Sequence, residues 1–145
     1  MEVQGLMMDP SSKSPIVILK QVGGEALLPI WIGVFEANAI ALQLENIATP
    51  RPMTHDLLRD VLEDLGTDVE RVVVTELHEK TINAELHLRR EGEAHVVSSR
   101  PSDAIALAVR TGTPIYVDEA VIDEAGYRQA EADDTGDTAG DEDVL

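Results

Sequence analysis

Two hydrophobic periods alternate along this chain, and the switches between them mark out its elements. Residues 2–8 open in a strand-like pattern and stop at the turn-rich DPSSKS of residues 9–14. Residues 15–22 (PIVILKQV) are apolar and β-branched on both faces and predict a second strand. Gly23-Gly24 then predicts a hairpin into a third strand at 25–32. Pro29 has no N–H to give a ladder, so that strand is expected to be an edge or bulged there. Gly33 breaks it, and residues 35–47 follow as an alanine-rich helix, apolar nearly all round, which Pro50 and Pro52 end.

A second helix is predicted from Thr54, its expected cap, to Leu65, with Gly66 as its stop. Leu57, Leu58, Val61, Leu62 and Leu65 form its apolar face, opposite Arg59, Asp60, Glu63 and Asp64. Strands are predicted at 70–77, 81–89 and 93–99, the second alternating cleanly and the last two joined by a turn at Glu91-Gly92. A helix from Arg100 to Gly112, a short strand at 115–117 and one or two helical turns at 119–125 complete the pattern. The block RPSDAIALAVR at 100–110 echoes FEANAIALQLE at 35–45 with an offset of 65 residues. The chain therefore reads as α+β: a duplicated strand-strand-strand-helix unit with a mainly antiparallel sheet and an extra amphipathic helix between the copies. Residues 1–127 are expected to form one domain, and 128–145 an acidic, disordered tail.

Composition changes this picture in one respect. Eleven basic residues against 28 acidic ones give a net charge of −17. The tail holds one basic and seven acidic residues, so the first 127 still carry −11. An ordinary acidic protein is one reading of that charge. Adaptation to high intracellular salt is the other, and only three lysines against eight arginines favour it. There are no cysteines, which points to a reducing compartment, and no leader-like or membrane-spanning run. A cytoplasmic protein without a membrane partner is expected.

No phosphate-binding glycine loop, HExxH, GxSxG or calcium loop occurs. The candidate chemistry lies instead at helix starts: Glu36 and Asn38 at the first, Arg51, His55 and Asp56 at the second, Arg100, Ser102 and Asp103 at the third. Free amides and the helix dipole favour anions at such ends, and an adjacent arginine or hydroxyl can complete a phosphate site. Glu36, Asp56, Ser102 and Asp103 are equally the residue types that cap helices, and Arg100 is suited to pairing with Asp103.

The run LPIWIGVFEANAIALQLENIATPRPMTHDLL at 28–58, followed by RPSDAIALAVRTGTPIYV at 100–117, resembles the bifunctional nuclease domain family. The resemblance covers about residues 1–127. It implies a duplicated α+β fold, a tendency to homo-oligomers, and nuclease activity on RNA and DNA as reported for plant relatives. It brings no agreed set of catalytic residues.

Two functions follow. In the first the chain is a nuclease hydrolysing phosphodiester bonds, with Glu36, His55, Asp56 and Asp103 as catalytic candidates and Arg51, Arg100 and Ser102 on substrate; magnesium or manganese is the expected cofactor. In the second it is a non-enzymatic homo-oligomeric scaffold or regulatory module, for which the matching blocks keep fold and interface. The helix starts before residues 36 and 100 are expected to converge, with residues 51–56 supplied between them.

Overall fold

Two antiparallel meanders carry the fold, and each feeds a helix. In the computed structural model, which describes residues 1–79 and 81–128, the first comprises β1 (Glu2–Met8), β2 (Pro15–Lys20) and β3 (Ala26–Trp31), leading into α1 (Val34–Leu44). After α2 (Thr54–Asp64) come β4 (Thr67–His78), β5 (Thr81–Arg90) and β6 (Glu93–Ser99), leading into α3 (Pro101–Thr111). β7 (Ile115–Val117), α4 (Glu119–Ala125) and β8 (Tyr127–Arg128) close the described chain. The fold is α+β, with two four-stranded sheets ordered β1-β2-β3-β8 and β6-β5-β4-β7.

The strand-strand-strand-helix order thus occurs twice, but the added strands differ. β8 joins antiparallel beside β3, whereas β7 joins parallel beside β4. The parallel pair arises because α3 crosses over between β6 and β7, returning the chain in β4's direction. Pro29 pairs with Ile18 on one side, while β8 reaches only Ala26 and Leu27 on the other, so β3 is an edge at the proline. Glu91 and Gly92 both have positive φ (51° and 80°), the geometry that a two-residue turn needs to match strand twist. The expected acidic tail lies outside the described residues apart from Arg128.

β2 is buried on both faces, as its sequence requires. Val17 and Leu19 enter the main core with Leu28, Ile30, Val72, Val74, Leu86 and Ile105, while Ile16 and Ile18 join Leu27 and Tyr127 behind the sheet. α3 is the central helix: Ala104 to Ala108 are all buried, and it packs on α1, α2, β4 and β5. Its alanines allow that close approach.

α1 and α2 depart from expectation. α1 buries Ala37, Ala39 and Ile40, but Phe35 is 87% exposed and Val34 and Leu44 are exposed as well. In α2 only Leu62 of the five apolar residues packs on the core; Leu57, Leu58, Val61 and Leu65 are exposed. Polar contacts set that rotation. His55 is buried, and both it and Asp56 reach across to α3, which turns the apolar stripe aside. Met53, not Thr54, holds the cap position of α2. Among the described residues no helix is long and apolar enough to cross a membrane.

Candidate active site

α3 begins at Pro101, whose fixed φ suits the first helical position, with Arg100 as the extended residue before it. Asp103 lies in the first turn, where a carboxylate is favoured by the dipole. Its oxygens do not cap the helix; both are taken by other side chains. Oδ1 lies 2.9 Å from Nε2 of His55, and Oδ2 accepts from Arg100 Nε at 2.9 Å with Arg100 Nη2 at 2.8 Å. Arg100 Nη1 turns to Oε1 of Glu36, 3.0 Å away in the first turn of α1. Glu36, Arg100, Asp103 and His55 thus form one continuous polar chain across three helix starts.

Burial grades along this chain. The side chains of Glu36 and His55 are 12% and 11% exposed, that of Asp103 33%, and that of Arg100 66%. Burial pushes the Asp103 carboxyl up, but hydrogen bonds from His55 and Arg100, with the Arg100 charge, outweigh it and hold the group below the ordinary carboxylate range. An ionised Asp103 only accepts, so the Nε2–H of His55 is the donor in this bond. Arg100 is held more firmly protonated by its bond to Asp103 and by the charges of Asp103 and Glu36. Glu36 folds back over Gly33: a Cβ at position 33 would come 2.7 Å from Glu36 Oε1.

The remaining candidates lie elsewhere. Asp56 accepts the Met53 N–H at 3.0 Å and the Arg110 Nε–H at 2.6 Å. Its carboxyl is raised by burial but lowered further by those two bonds and by Arg110 and Arg59, for a net depression. Arg110, with a side chain only 1% exposed, also donates to the carbonyls of Ala106 and Ala39, both at 2.8 Å, and so ties α1, α2 and α3 together. Arg51 is exposed in the loop before α2, outside the cluster, and Asn38 is exposed on α1. Ser102 is buried and lines a cleft of about 580 Å³ beside the cluster, with Trp31, Gly33, Ile82, Arg100 and Pro101.

Arg110 and Trp31 lie outside the set of site residues predicted from the sequence. The signal for Arg110 was present: one cation inside an otherwise apolar helix must be paired. Trp31 carried none, since a terminal strand residue faces either side.

The magnesium or manganese ion expected from the sequence finds no preformed ligand set. Among the described residues no three His, Asp or Glu side chains are grouped to hold an ion, and the Arg100 guanidinium already stands between Glu36 and Asp103.

The sequence profile of the bifunctional nuclease domain matches residues 17–130, a span containing every residue of the cluster. The chain belongs to the bifunctional nuclease domain family. Similar proteins include an uncharacterized protein of Mycobacterium tuberculosis, 42% identical over 144 residues, which are 99% of this chain and 86% of that relative. Two plant members of the bifunctional nuclease family are also similar. Bifunctional nuclease 2 of Oryza sativa subsp. japonica is 29% identical over 132 residues (88% of this chain, 41% of the relative). Bifunctional nuclease 2 of Arabidopsis thaliana is 31% identical over 118 residues (79% and 36%). The chain thus spans about two fifths of the plant proteins' length.

Proposed function

We propose that this chain is a nuclease that hydrolyses phosphodiester bonds of RNA or DNA at the Glu36–Arg100–Asp103–His55 chain. The observation that carries the reading is the bond that His55 Nε2–H donates to Asp103 Oδ1. It fixes the imidazole in one tautomer and leaves Nδ1 as a base, as a buried carboxylate does for a catalytic histidine. In the proposed reaction His55 takes the proton of an attacking water as its oxygen bonds to phosphorus. The bond to the leaving oxygen breaks, and the same proton passes to that oxygen. Arg100 is the anion binder: three of its nitrogens touch carboxylates, and second N–H groups on Nη1 and Nη2 remain for a non-bridging phosphate oxygen. Glu36 and Asp103 position Arg100. Asp56 and Arg110 hold the three helices in place.

The test is an assay of purified protein on single-stranded RNA and DNA, at low and molar salt, with and without chelator. His55→Ala is expected to abolish cleavage while keeping the circular dichroism of the parent. As arranged, these residues need no ion for proton transfer, so cleavage is expected to survive chelation. Loss in chelator with recovery in magnesium or manganese would show that the ion enters with substrate or by displacing Arg100.

A second reading rests on a different observation, the exposed apolar residues of α1 and α2: this chain assembles as a homo-oligomer, as a non-enzymatic scaffold or regulatory module. If the parent cuts neither RNA nor DNA under any of these conditions, the non-enzymatic scaffold remains.

A further inference from the structure

The cleft beside the polar chain has one wall that the proposed reaction does not use. Trp31, the last residue of β3, lines it and is 49% exposed. An indole at a strand end is ordinarily free to change rotamer, but this one is fastened. Its Nε1–H donates to Asp9 Oδ2 at 2.9 Å. Asp9 is itself buried and held by the Ser11 amide and hydroxyl at 3.0 Å and by the Ser12 hydroxyl at 2.8 Å. These bonds hold the Asp9 carboxyl far below the ordinary range, led by the indole bond, so the anchor stays ionised. The Asp9–Ser14 turn between β1 and β2 thereby clamps the indole edge, and the ring offers a face without an ordering cost on binding.

Arg100, with its free N–H groups, lines the same cleft, as does Pro101. At about 580 Å³ the space falls within the range of small-ligand pockets. A flat aromatic and an arginine bordering one cleft match the two halves of a nucleotide, base and phosphate. Charge sharpens the assignment. Glu36 and Asp103 more than neutralise Arg100, and the whole chain carries −17, so phosphate attraction cannot supply most of the affinity here. Stacking can, because it is indifferent to net charge. A paired base inside a duplex has no free face to stack on.

We infer that Trp31 is a stacking platform for an unpaired base next to the phosphate on Arg100, which makes single-stranded nucleic acid the preferred ligand of this cleft. The inference rests on the nuclease reading for its choice of Arg100 as phosphate binder, and its test does not depend on cleavage.

Trp31 is the chain's one tryptophan, so indole emission reports this site alone. Phosphorothioate oligothymidylate and a phosphorothioate duplex of equal length, titrated into the full chain, are expected to give saturable quenching by the single strand and little by the duplex. By anisotropy of a labelled single strand, Trp31→Ala is expected to lose at least about tenfold in affinity, and Trp31→Phe, which keeps a ring but not the Asp9 bond, to lose less. The salt slope should be shallow. Equal quenching by duplex, or cleavage by the parent with no quenching, overturns the stacking role while leaving the nuclease reading standing. So does an emission change that follows protein concentration and not oligonucleotide, which would place Trp31 between copies of the chain. A parent that neither binds nor cuts removes both.

Discussion

His55 Nε2 and Asp103 Oδ1 lie 2.9 Å apart although 48 residues separate them, and their bond joins the first turns of α2 and α3. The helix dipoles favour the carboxylate, and Arg100 on its other oxygen keeps it ionised. In the proposed reaction the His55–Asp103 bond orients the imidazole as the base. The surroundings supply the rest: Glu36 steadies Arg100 from α1, and Gly33 leaves room for Glu36 to fold back.

This arrangement ranks the variants. Asp103→Asn removes the ionised partner of both His55 and Arg100 and is expected to lower cleavage at least a hundredfold without unfolding the chain. Glu36→Gln leaves the imidazole untouched and is expected to cost on the order of tenfold, mainly through substrate affinity. Gly33→Ala, whose Cβ displaces the Glu36 carboxylate, should resemble Glu36→Gln. Steady-state kinetics on one oligonucleotide decide the order; a fully active, folded Asp103→Asn protein would remove the site from the cluster.

Asp56 and Arg110 give the opposite signature. Breaking a buried pair from one side leaves the other charge uncompensated, so Asp56→Asn is expected to cost about 3 kcal/mol at neutral pH. The pH dependence follows from the depressed Asp56 carboxyl. Its folded pKa lies below its unfolded value, so the stabilisation is complete above the unfolded value and fades as pH falls through the folded one. The gap in unfolding free energy between parent and Asp56→Asn should therefore be widest at neutral pH and close on acidification. A gap that stays constant to low pH would mean that the pair contributes through packing and not charge.

Strands and turns were legible because each is written in a local code. The alternation at 81–89, the Glu91-Gly92 turn and the paired prolines after α1 each specify one backbone. The convergence of the starts of α1 and α3 was also within reach, since two matching blocks suggest matching places. What did not show was rotation about a helix axis. Leu57, Leu58, Val61 and Leu65 read as a core face by period alone, yet contacts of His55 and Asp56 with residues 48 and 54 positions away set the helix differently. Those partners are non-local, and no window along the sequence contains both. Phe35 is exposed for a related reason: period marks a helix as apolar without saying how many neighbours cover it.

The exposed stripe on α2 makes its own prediction. Each Leu or Val buried from water contributes about 1.5–3 kcal/mol, and four on one face are a strong drive to associate. A second copy of this chain is the occupant that matches an apolar stripe to an apolar stripe. Light scattering of the parent is expected to show a dimer or larger. Leu58→Glu with Val61→Glu, both already exposed, should yield a folded monomer. A parent that is monomeric across concentration and salt would leave the stripe without that role.

Salt should act on this molecule in one direction. With −17 distributed along the chain, carboxylate repulsion opposes the compact state most strongly in dilute buffer. Screening shortens from about 10 Å at 0.1 M to about 3 Å at 1 M salt, so an ordinary acidic protein gains most of its benefit by then. Adaptation to high salt predicts more: the melting temperature should keep rising with KCl beyond 1 M. The internal Asp56–Arg110 bond, with the guanidinium 1% exposed, is poorly screened and should hold over the whole range, whereas the exposed Arg89–Glu70 pair at 3.0 Å should contribute nothing at high salt. Thermal melts of the parent and of Arg89→Ala across KCl measure both effects together. A parent curve that levels off by 1 M would leave the charge as that of an ordinary acidic protein.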